Sequence, residues 1–576
     1  MSNLPGPQLL SLAPELIQEI GNKAPIQDVK SLRLVCRKLS TLVEGDLFHS
    51  LEIHLHPYDR SGVYKRALEI FETLAKAKGH SVETATRKLV ITNVSLPIKR
   101  NDHREITGDE FERRLKAALV PALQSLKNIR NIRLNYNFTK LDWVFHGVLE
   151  SLNPIIPQLS GLDIYGIDSD KLWNPRNTAL LTLLNDPRLL QLSHFSITTE
   201  GQGENQAFFA SLITAMRTTL TKSSTRLKSF KCGLPAIWSQ RPILHAVFGP
   251  DIPNSGFPAL THIALGSEII PGSHICRGAP TLPQFTSLQR LDCLLVYRQG
   301  KANGTHQVHA GTLSFWELLA DTGVRLRSIR NAIVSDELLK YLCSYSGELN
   351  ELSVSCQHSA GSQQAQQAMG VEFWTRVIPL HCSFLREIQV HTSCMGWWIY
   401  GSKTQETLSA YSFPELRRLR IGVQKHERYS TVTDEPNKDY MATLVNLIVQ
   451  SGNFPALVEL NPDFPSYPVE HGWCGTSAIN EQEEVARNQT SNLCGWTFPC
   501  IEDMKEVSGS PSSLRLTAGI REMRPPPKVA FFGSYSSFCL RPTEISGGWK
   551  YESTECLFTV EGLAMRFTSR LSQPAS

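Results

Sequence analysis

FPELRRLRI, residues 413–421, places apolar side chains at Leu416, Leu419 and Ile421 and charged ones between them. Alternation of that kind describes a short strand with one face in a core and one face out. The same spacing, a leucine-like residue followed three and five positions later by apolar ones, recurs along the chain. It reads Ile129–Ile132–Leu134, Leu159–Leu162–Ile164, Leu192–Phe195–Ile197, Leu227–Phe230–Cys232 and Leu260–Ile263–Leu265. It continues as Leu288–Leu291–Cys293, Leu349–Leu352–Val354 and Leu385–Ile388–Val390, with Leu326–Ile329 and Leu457–Leu460 as imperfect copies. Leu89 and Ile91 begin the series.

The copies lie roughly 23 to 41 residues apart, a repeat-protein period. Between them fall helix-like segments: VFHGVLESL, NQAFFASLITAMRTTL, LSFWELLA, VEFWTRVI and YMATLVNLIVQ. No strand–helix unit of this size buries its own apolar face, so neighbours must stack. Strands that all return in one direction form a parallel sheet. The pattern resembles the leucine-rich-repeat family. It departs from it at the Asn or Cys that follows each strand, supplied by Asn137 and almost nowhere else. That departure and the variable spacing argue for a bent solenoid with unequal loops, although the permissive spacing also suits a non-repeating α/β domain.

Outward from the repeats, the most informative segment is residues 8–55. Leu9, Leu12, Leu16 and Ile20 recur at helical spacing, Pro14 suits a helix start, and Asp28 is placed to cap a second helix. Val29, Leu32, Val35, Cys36, Leu39, Leu42 and Val43 then follow a three–four pattern, and Leu51, Ile53 and Leu55 alternate like a strand. Helices this short bury little by themselves and need the rest of the chain or a partner.

LAPELIQEI, IQDVKSLRLVCRKLSTLV and DLFHSLEIHL together resemble an F-box motif. Leu12, Glu15, Leu16 and Ile20 match its first half, with Ala13 in place of the usual proline. Asp28, Leu32, Arg33, Val35, Cys36, Arg37 and Leu39 match its second half, and Val29 departs from a leucine. The resemblance implies binding to a Skp-type adaptor and through it to a cullin–RING ubiquitin ligase. The adaptor-binding residues it implies are Leu12, Pro14, Glu15, Leu16, Ile17, Ile20, Leu32, Val35, Cys36 and Leu39. The competing reading of these helices is an N-terminal cap on the solenoid. Divergent leucine-rich repeats often follow an F-box in that family.

The expected fold class is α/β: a small N-terminal all-α F-box at 8–55, then an irregular leucine-rich-repeat-like solenoid with short parallel strands and outer helices. Residues 56–125 carry connecting helices and the first repeat, 126–464 the divergent solenoid, and 465–576 an irregular C-terminal cap or partly disordered tail. KVAFFGSYSSFCL and ECLFTVEGLAMRF are strand-like within that tail, whereas 508–527 and 481–490 read as disorder-prone.

Composition bounds the function. A net charge of +4 on 576 residues is too small to imply nucleic acid or an anionic membrane. No apolar run is long enough to span a bilayer, and no basic segment precedes an apolar one at the N-terminus, so a cytoplasmic and/or nuclear protein is expected. Thirteen cysteines, an odd number without regular spacing, suggest reduced thiols, with Cys36, Cys232 and Cys293 at apolar positions.

Cys474, Cys494 and Cys500 near His471 lack zinc spacing, and His54/His56 and His306/His309 have no carboxylate or thiol near them in sequence to complete a ligand set, so neither a metal nor any other cofactor is expected. The sequons at Asn93, Asn137, Asn303 and Asn488 mean little without secretion. Gly396–Thr404 (GWWIYGSKT) lacks the lysine directly after the second glycine that a phosphate loop needs; Trp397, Trp398 and Tyr400 are core or, if exposed, a protein-binding patch. Arg417, Arg418 and Arg420 are a candidate phosphate contact or merely a solvated face. No catalytic motif is present.

The expected function is a non-catalytic substrate receptor of a Skp–cullin–F-box ligase holding an as yet unspecified protein target. The alternatives are an F-box scaffold outside the ligase and an α/β enzyme without a recognisable motif.

Overall fold

The structure, a computed structural model, describes residues 12–24, 26–36, 38–39, 42, 48–55, 61–76, 81–94, 107–136, 142–168, 175–200, 205–234, 247–248, 256–266, 275–276, 285–294, 312–356, 363–392, 396–423, 440–463, 514–519, 535–545 and 548–559. The chain divides into two compact units, one of 1–287 with 306–313 and one of 288–305 with 314–576.

In the first unit, helices α1 (Pro14–Lys23) and α2 (Ile26–Val35) precede seven strands. These are β1 (Ser50–Leu55), β2 (Lys88–Val94), β3 (Asn131–Asn135), β4 (Gly161–Asp168), β5 (His194–Glu200), β6 (Ser229–Gly233) and β7 (His262–Gly266). They pair in sequence order, and every pairing is parallel. The intervening helices stack in the same order: 61–76 on 108–125, then 142–152, 175–185 and 206–223. Matching order in strands and helices is the signature of stacked repeats. A two-residue antiparallel pair, β8 (Ile275–Cys276) with β10 (Thr312–Leu313), completes this unit.

The second unit repeats the plan. Strands β9 (Arg290–Leu294), β11 (Ser328–Ile333), β12 (Glu351–Cys356), β13 (Glu387–Thr392), β15 (Arg418–Val423), β16 (Glu459–Asp463) and β17 (Leu514–Gly519) run parallel in that order. The short β14 (Ile399–Tyr400) lies beside β15. Antiparallel strands β18 (Tyr535–Ile545) and β19 (Gly548–Thr559) follow β17. The tail therefore contains strand structure at 514–519, inside the stretch expected to be disorder-prone. Residues 464–513, with Cys474, Cys494, Cys500, His471 and 481–490, lie outside the described residues. So do His56, Asn137, Asn303, His306, His309, Asn488 and Pro525–Pro527.

Each repeated apolar triplet is buried as its spacing requires: Ile132, Leu162, Phe195, Phe230, Ile263, Leu291, Leu352, Ile388 and Leu419 are all at most 2% exposed. The leucine before each strand packs in the same way, as Leu159, Leu227, Leu349 and Leu416 show. Two of the predicted thiols, Cys232 and Cys293, fill strand positions and are fully buried, whereas Cys36 is half-buried. Burial pushes the Cys232 thiol up to about 12, and Cys293 also upward, so both are poor nucleophiles at neutral pH.

The missing asparagines leave a question of how backbone groups are satisfied between repeats. At the leading end of the strands the backbone does most of it, joined at some copies by a hydroxyl: Ser160 Oγ donates to the Arg130 carbonyl at 3.2 Å and Ser193 Oγ to that of Ser160 at 3.0 Å. The two residues between the first and second apolar positions of a copy both donate N–H groups to one carbonyl of the preceding repeat. Arg130 and Asn131 donate to Arg87, Ser160 and Gly161 to Arg130, Ser193 and His194 to Ser160, and Lys228 and Ser229 to Ser193. In the second unit Asn350 and Glu351 donate to Arg327, Arg386 and Glu387 to Asn350, and Arg417 and Arg418 to Arg386. Donor–acceptor distances in this ladder run from 2.6 to 3.1 Å.

Helix starts are fixed by local chemistry. Ser314 and Glu317 form a reciprocal capping box (3.2 and 2.7 Å), and Thr107 caps 108–125 through the Glu110 N–H. Two of the strand irregularities carry a left-handed residue: Gly166 at φ 72° in β4 and Asn331 at φ 55° in β11, residue types that tolerate that backbone.

His381 is fully buried, with Nε2 3.0 Å from the Leu342 carbonyl and Nδ1 3.3 Å from that of Gly347. Burial lowers its pKa below the ordinary histidine value, and the two carbonyls oppose that shift. A histidine with a depressed folded-state pKa is protonated first in the unfolded chain, so acid favours unfolding. Stability from this site is complete above about pH 7 and is expected to decline as pH falls through the unfolded value near 6.5. Thermal melts between about pH 7.5 and pH 5.5 should show a steeper fall for the wild type than for His381→Gln; equal slopes would refute the assignment.

Candidate functional site: the outer face of the N-terminal helices

Helix α1 begins with Pro14 at its first position, where the absent N–H costs nothing, and Ala13 as the N-cap without a side-chain bond. Glu15 lies in its first turn, and Lys23 pairs with Glu19 at 2.6 Å. Ile17 and Gly21, four residues apart, face inward; Ile17 is 1% exposed. Leu16 and Ile20, on the adjoining stripe, stand out at 49% and 42%.

Helix α2 starts two residues before Asp28, which sits in the first turn and not at the cap expected from the sequence. Asp28 still faces the positive end of the helix dipole. Val29 is buried, Leu32 half-buried, and Leu34 and Val35 protrude at 86% and 67%. Leu39 is buried beyond the helix, and Leu12 and Cys36 are half-buried.

The ten residues implied by the motif thus divide. Pro14, Glu15, Leu16, Ile20 and Val35 are exposed; Leu12, Leu32 and Cys36 are partly so; Ile17 and Leu39 already pack within the chain. Leu34 was not among the ten, yet among the described residues it is the most exposed large apolar side chain of these helices. Among the described residues the two ten-residue helices leave Leu16, Ile20, Leu34 and Val35 in water, apolar exposure of the kind a protein partner covers.

Other candidates resolve differently. Trp398 and Tyr400 are fully buried, so the GWWIYGSKT segment packs and offers no exposed aromatic patch; only Trp397 is half-buried, with the Lys403 ammonium 5.2 Å from its ring. Arg418 is engaged by Glu387 (3.3 Å) and Glu459 (3.5 Å), which neutralises the suggested phosphate contact at that residue. His54 lies 2.7 Å from the Thr92 hydroxyl. Among the described residues, no group of three or more His, Cys, Asp or Glu could hold a metal, and no helix is long and apolar enough to cross a membrane.

No family model matches the chain, and no curated protein matches it in sequence. Among solved structures, the crystal structure of a Rad7 and Elc1 complex in yeast matches over 79% of this chain and 93% of the other, at 12% identity and a TM-score of 0.33. At that score the superposition is too loose to carry a property from one protein to the other.

Proposed function

We propose that this chain is a substrate receptor whose N-terminal helices dock on a Skp-type adaptor of a cullin–RING ubiquitin ligase, while the repeat array holds a protein target. The observation that carries this reading is the exposure of Leu16, Ile20, Leu34 and Val35 on two short helices whose sequence resembles an F-box. Burying a large apolar side chain stabilises an interface by about 1.5–3 kcal/mol. Covering the exposed parts of four such residues contributes a core of apolar stabilisation, set against the cost of association, to which polar contacts around them add. Ile17, Val29 and Leu39 act differently in this scheme: they hold the helices to the chain, so the contact set becomes Pro14, Leu16, Ile20, Leu34 and Val35 with Glu15 beside them. The chain itself needs no nucleophile or base, because the target is brought to a ubiquitin-charged enzyme by proximity.

The test is co-purification of the tagged full-length chain with adaptor and cullin, for the wild type and for Leu16→Glu with Ile20→Glu. Both positions are exposed, so the melting temperature should stay close to wild type while adaptor recovery falls by about a hundredfold. Equal adaptor recovery with both forms would refute the assignment. Adaptor without cullin would instead identify a scaffold acting outside the ligase.

A further inference from the structure

In the first unit, alternate residues of β1–β7 face away from the core. Two register rows cross β2–β7 on that face: Lys88, Asn131, Gly161, His194, Ser229 and His262, then Val90, Arg133, Asp163, Ser196, Lys231 and Ala264. The rows are electrically uneven. On β3 and β4 the Arg133 guanidinium is 3.3 Å from Asp163 and lies over the Tyr165 ring at 4.8 Å. That pair balances itself.

On β5–β7 the balance is lost. His194, Ser229 and His262 stand side by side, with the Ser229 hydroxyl 3.0 Å from His262 Nδ1. Lys231 follows on the same face, and Lys228 lies at the leading end of β6. Neither lysine has an ion-pair partner among the described residues. Neither row places an Asp or Glu on β5, β6 or β7; the acid of β5, Glu200, is six residues beyond His194, about 20 Å along an extended strand. Partial burial, and after it the neighbouring Lys228 and His262, hold the His194 pKa below the ordinary histidine value.

The second unit is the contrast. The equivalent face is cross-linked by Arg290–Asp292 (2.8 Å), Arg330–Glu351 (2.7 Å) and Arg418 with Glu387 and Glu459.

We infer that the β5–β7 face of the first unit, formed by His194, Ser229, Lys231 and His262 with Lys228 at its edge, binds an extended Asp/Glu-rich segment of a protein partner. Charge complementarity selects an acidic occupant, and a line of neighbouring strand residues, with His194 exposed and Ser229, Lys231 and His262 half-buried, suits an extended chain. Carboxylates are favoured over phosphoryl groups because recognition here falls to lysine point charges and a hydroxyl. Arg133, whose fork would suit phosphate, is engaged by Asp163. Calling the partner a ubiquitylation target rests on the receptor reading above; the binding itself does not.

The test uses full-length protein and fluorescein-labelled hexaglutamate, with hexalysine and a phosphoserine peptide of equal net charge as comparison probes, read by anisotropy at low and physiological salt. Hexaglutamate should bind and weaken with salt, and Lys228→Glu with Lys231→Glu should reduce its affinity by at least about tenfold. The milder Lys231→Met should reduce it by about threefold, which keeps the test decisive if the charge reversal disturbs folding. Arg327→Glu in the second unit should leave it unchanged. Absence of hexaglutamate binding, equal binding of hexalysine, indifference to the lysine substitutions, or a clear preference for the phosphoserine peptide would each overturn the inference. Leu16→Glu with Ile20→Glu should retain peptide binding, so loss of the adaptor and loss of the acidic segment are separable failures.

Discussion

Trp398→Ala is expected to destabilise the second unit by about 3–5 kcal/mol, the range for deleting a fully buried large aromatic. Trp398 is 0% exposed and its ring centroid lies 5.5 Å from that of Phe373. Its indole Nε1 donates to the Gln366 carbonyl at 2.8 Å, so truncation leaves a cavity and removes a buried hydrogen bond. Phe373 begins a π-helical turn, Phe373–Val377, an irregularity that this packing holds in place. Trp398→Phe keeps an aromatic ring but is smaller and loses the donor, and should cost less than the alanine change, about 1–3 kcal/mol. Gly370→Ala should also destabilise, because its Cβ would sit 2.7 Å from the Trp397 Cβ, an atom fixed to backbone. Urea unfolding of the full-length chain, followed by tryptophan fluorescence and circular dichroism, checks the series. A midpoint for Trp398→Ala equal to wild type would mean the segment is not packed as described.

Phe230→Ala is expected to have a comparable effect in the first unit, again about 3–5 kcal/mol. Phe230 is the middle apolar residue of its repeat, 0% exposed, and its ring lies 6.0 Å from Phe195 and 5.4 Å from Phe248. Phe248 in turn meets Phe257 and Phe285 edge-on at 5.5 and 5.4 Å. One ring therefore touches the repeat before it and leads to the aromatic cluster after it. In a stacked array the loss falls on neighbouring repeats as well as on the altered one. Phe230→Leu, which retains most of the volume, should cost less than about 1.5 kcal/mol. The two variants separate if the ring fills a defined cavity, and they coincide if the site is loosely packed.

The sequence exposed the strands of both units because leucine spacing and burial express the same alternation: Ile132, Leu162 and Leu352 had to face inward for any stacking to occur. It was less informative about strand boundaries. Leu51, Ile53 and Leu55 read as a strand attached to the F-box segment, yet β1 pairs with β2 as part of the sheet. Helical spacing singled out Leu16 and Ile20 but could not separate the stripe that packs, Ile17 and Gly21, from the one that remains in water. Leu34 went unnoticed because it lies between the positions that carry the motif. The β17–β19 arrangement follows a 50-residue interval after β16, too long for periodicity to bridge. The carbonyl ladder was invisible for a different reason: it is made by main-chain groups, which every sequence possesses.

That ladder changes what the chain can tolerate over evolutionary time. Register between neighbours is set where each strand begins, by two N–H groups on one carbonyl, and not by the length of the path that leads there. New material can therefore be spliced between strands while the next strand is still seated in the same alignment. Length in the connections and alignment in the scaffold are thereby uncoupled, and the unequal intervals between repeats sit beside strands seated by the same two-to-one bond.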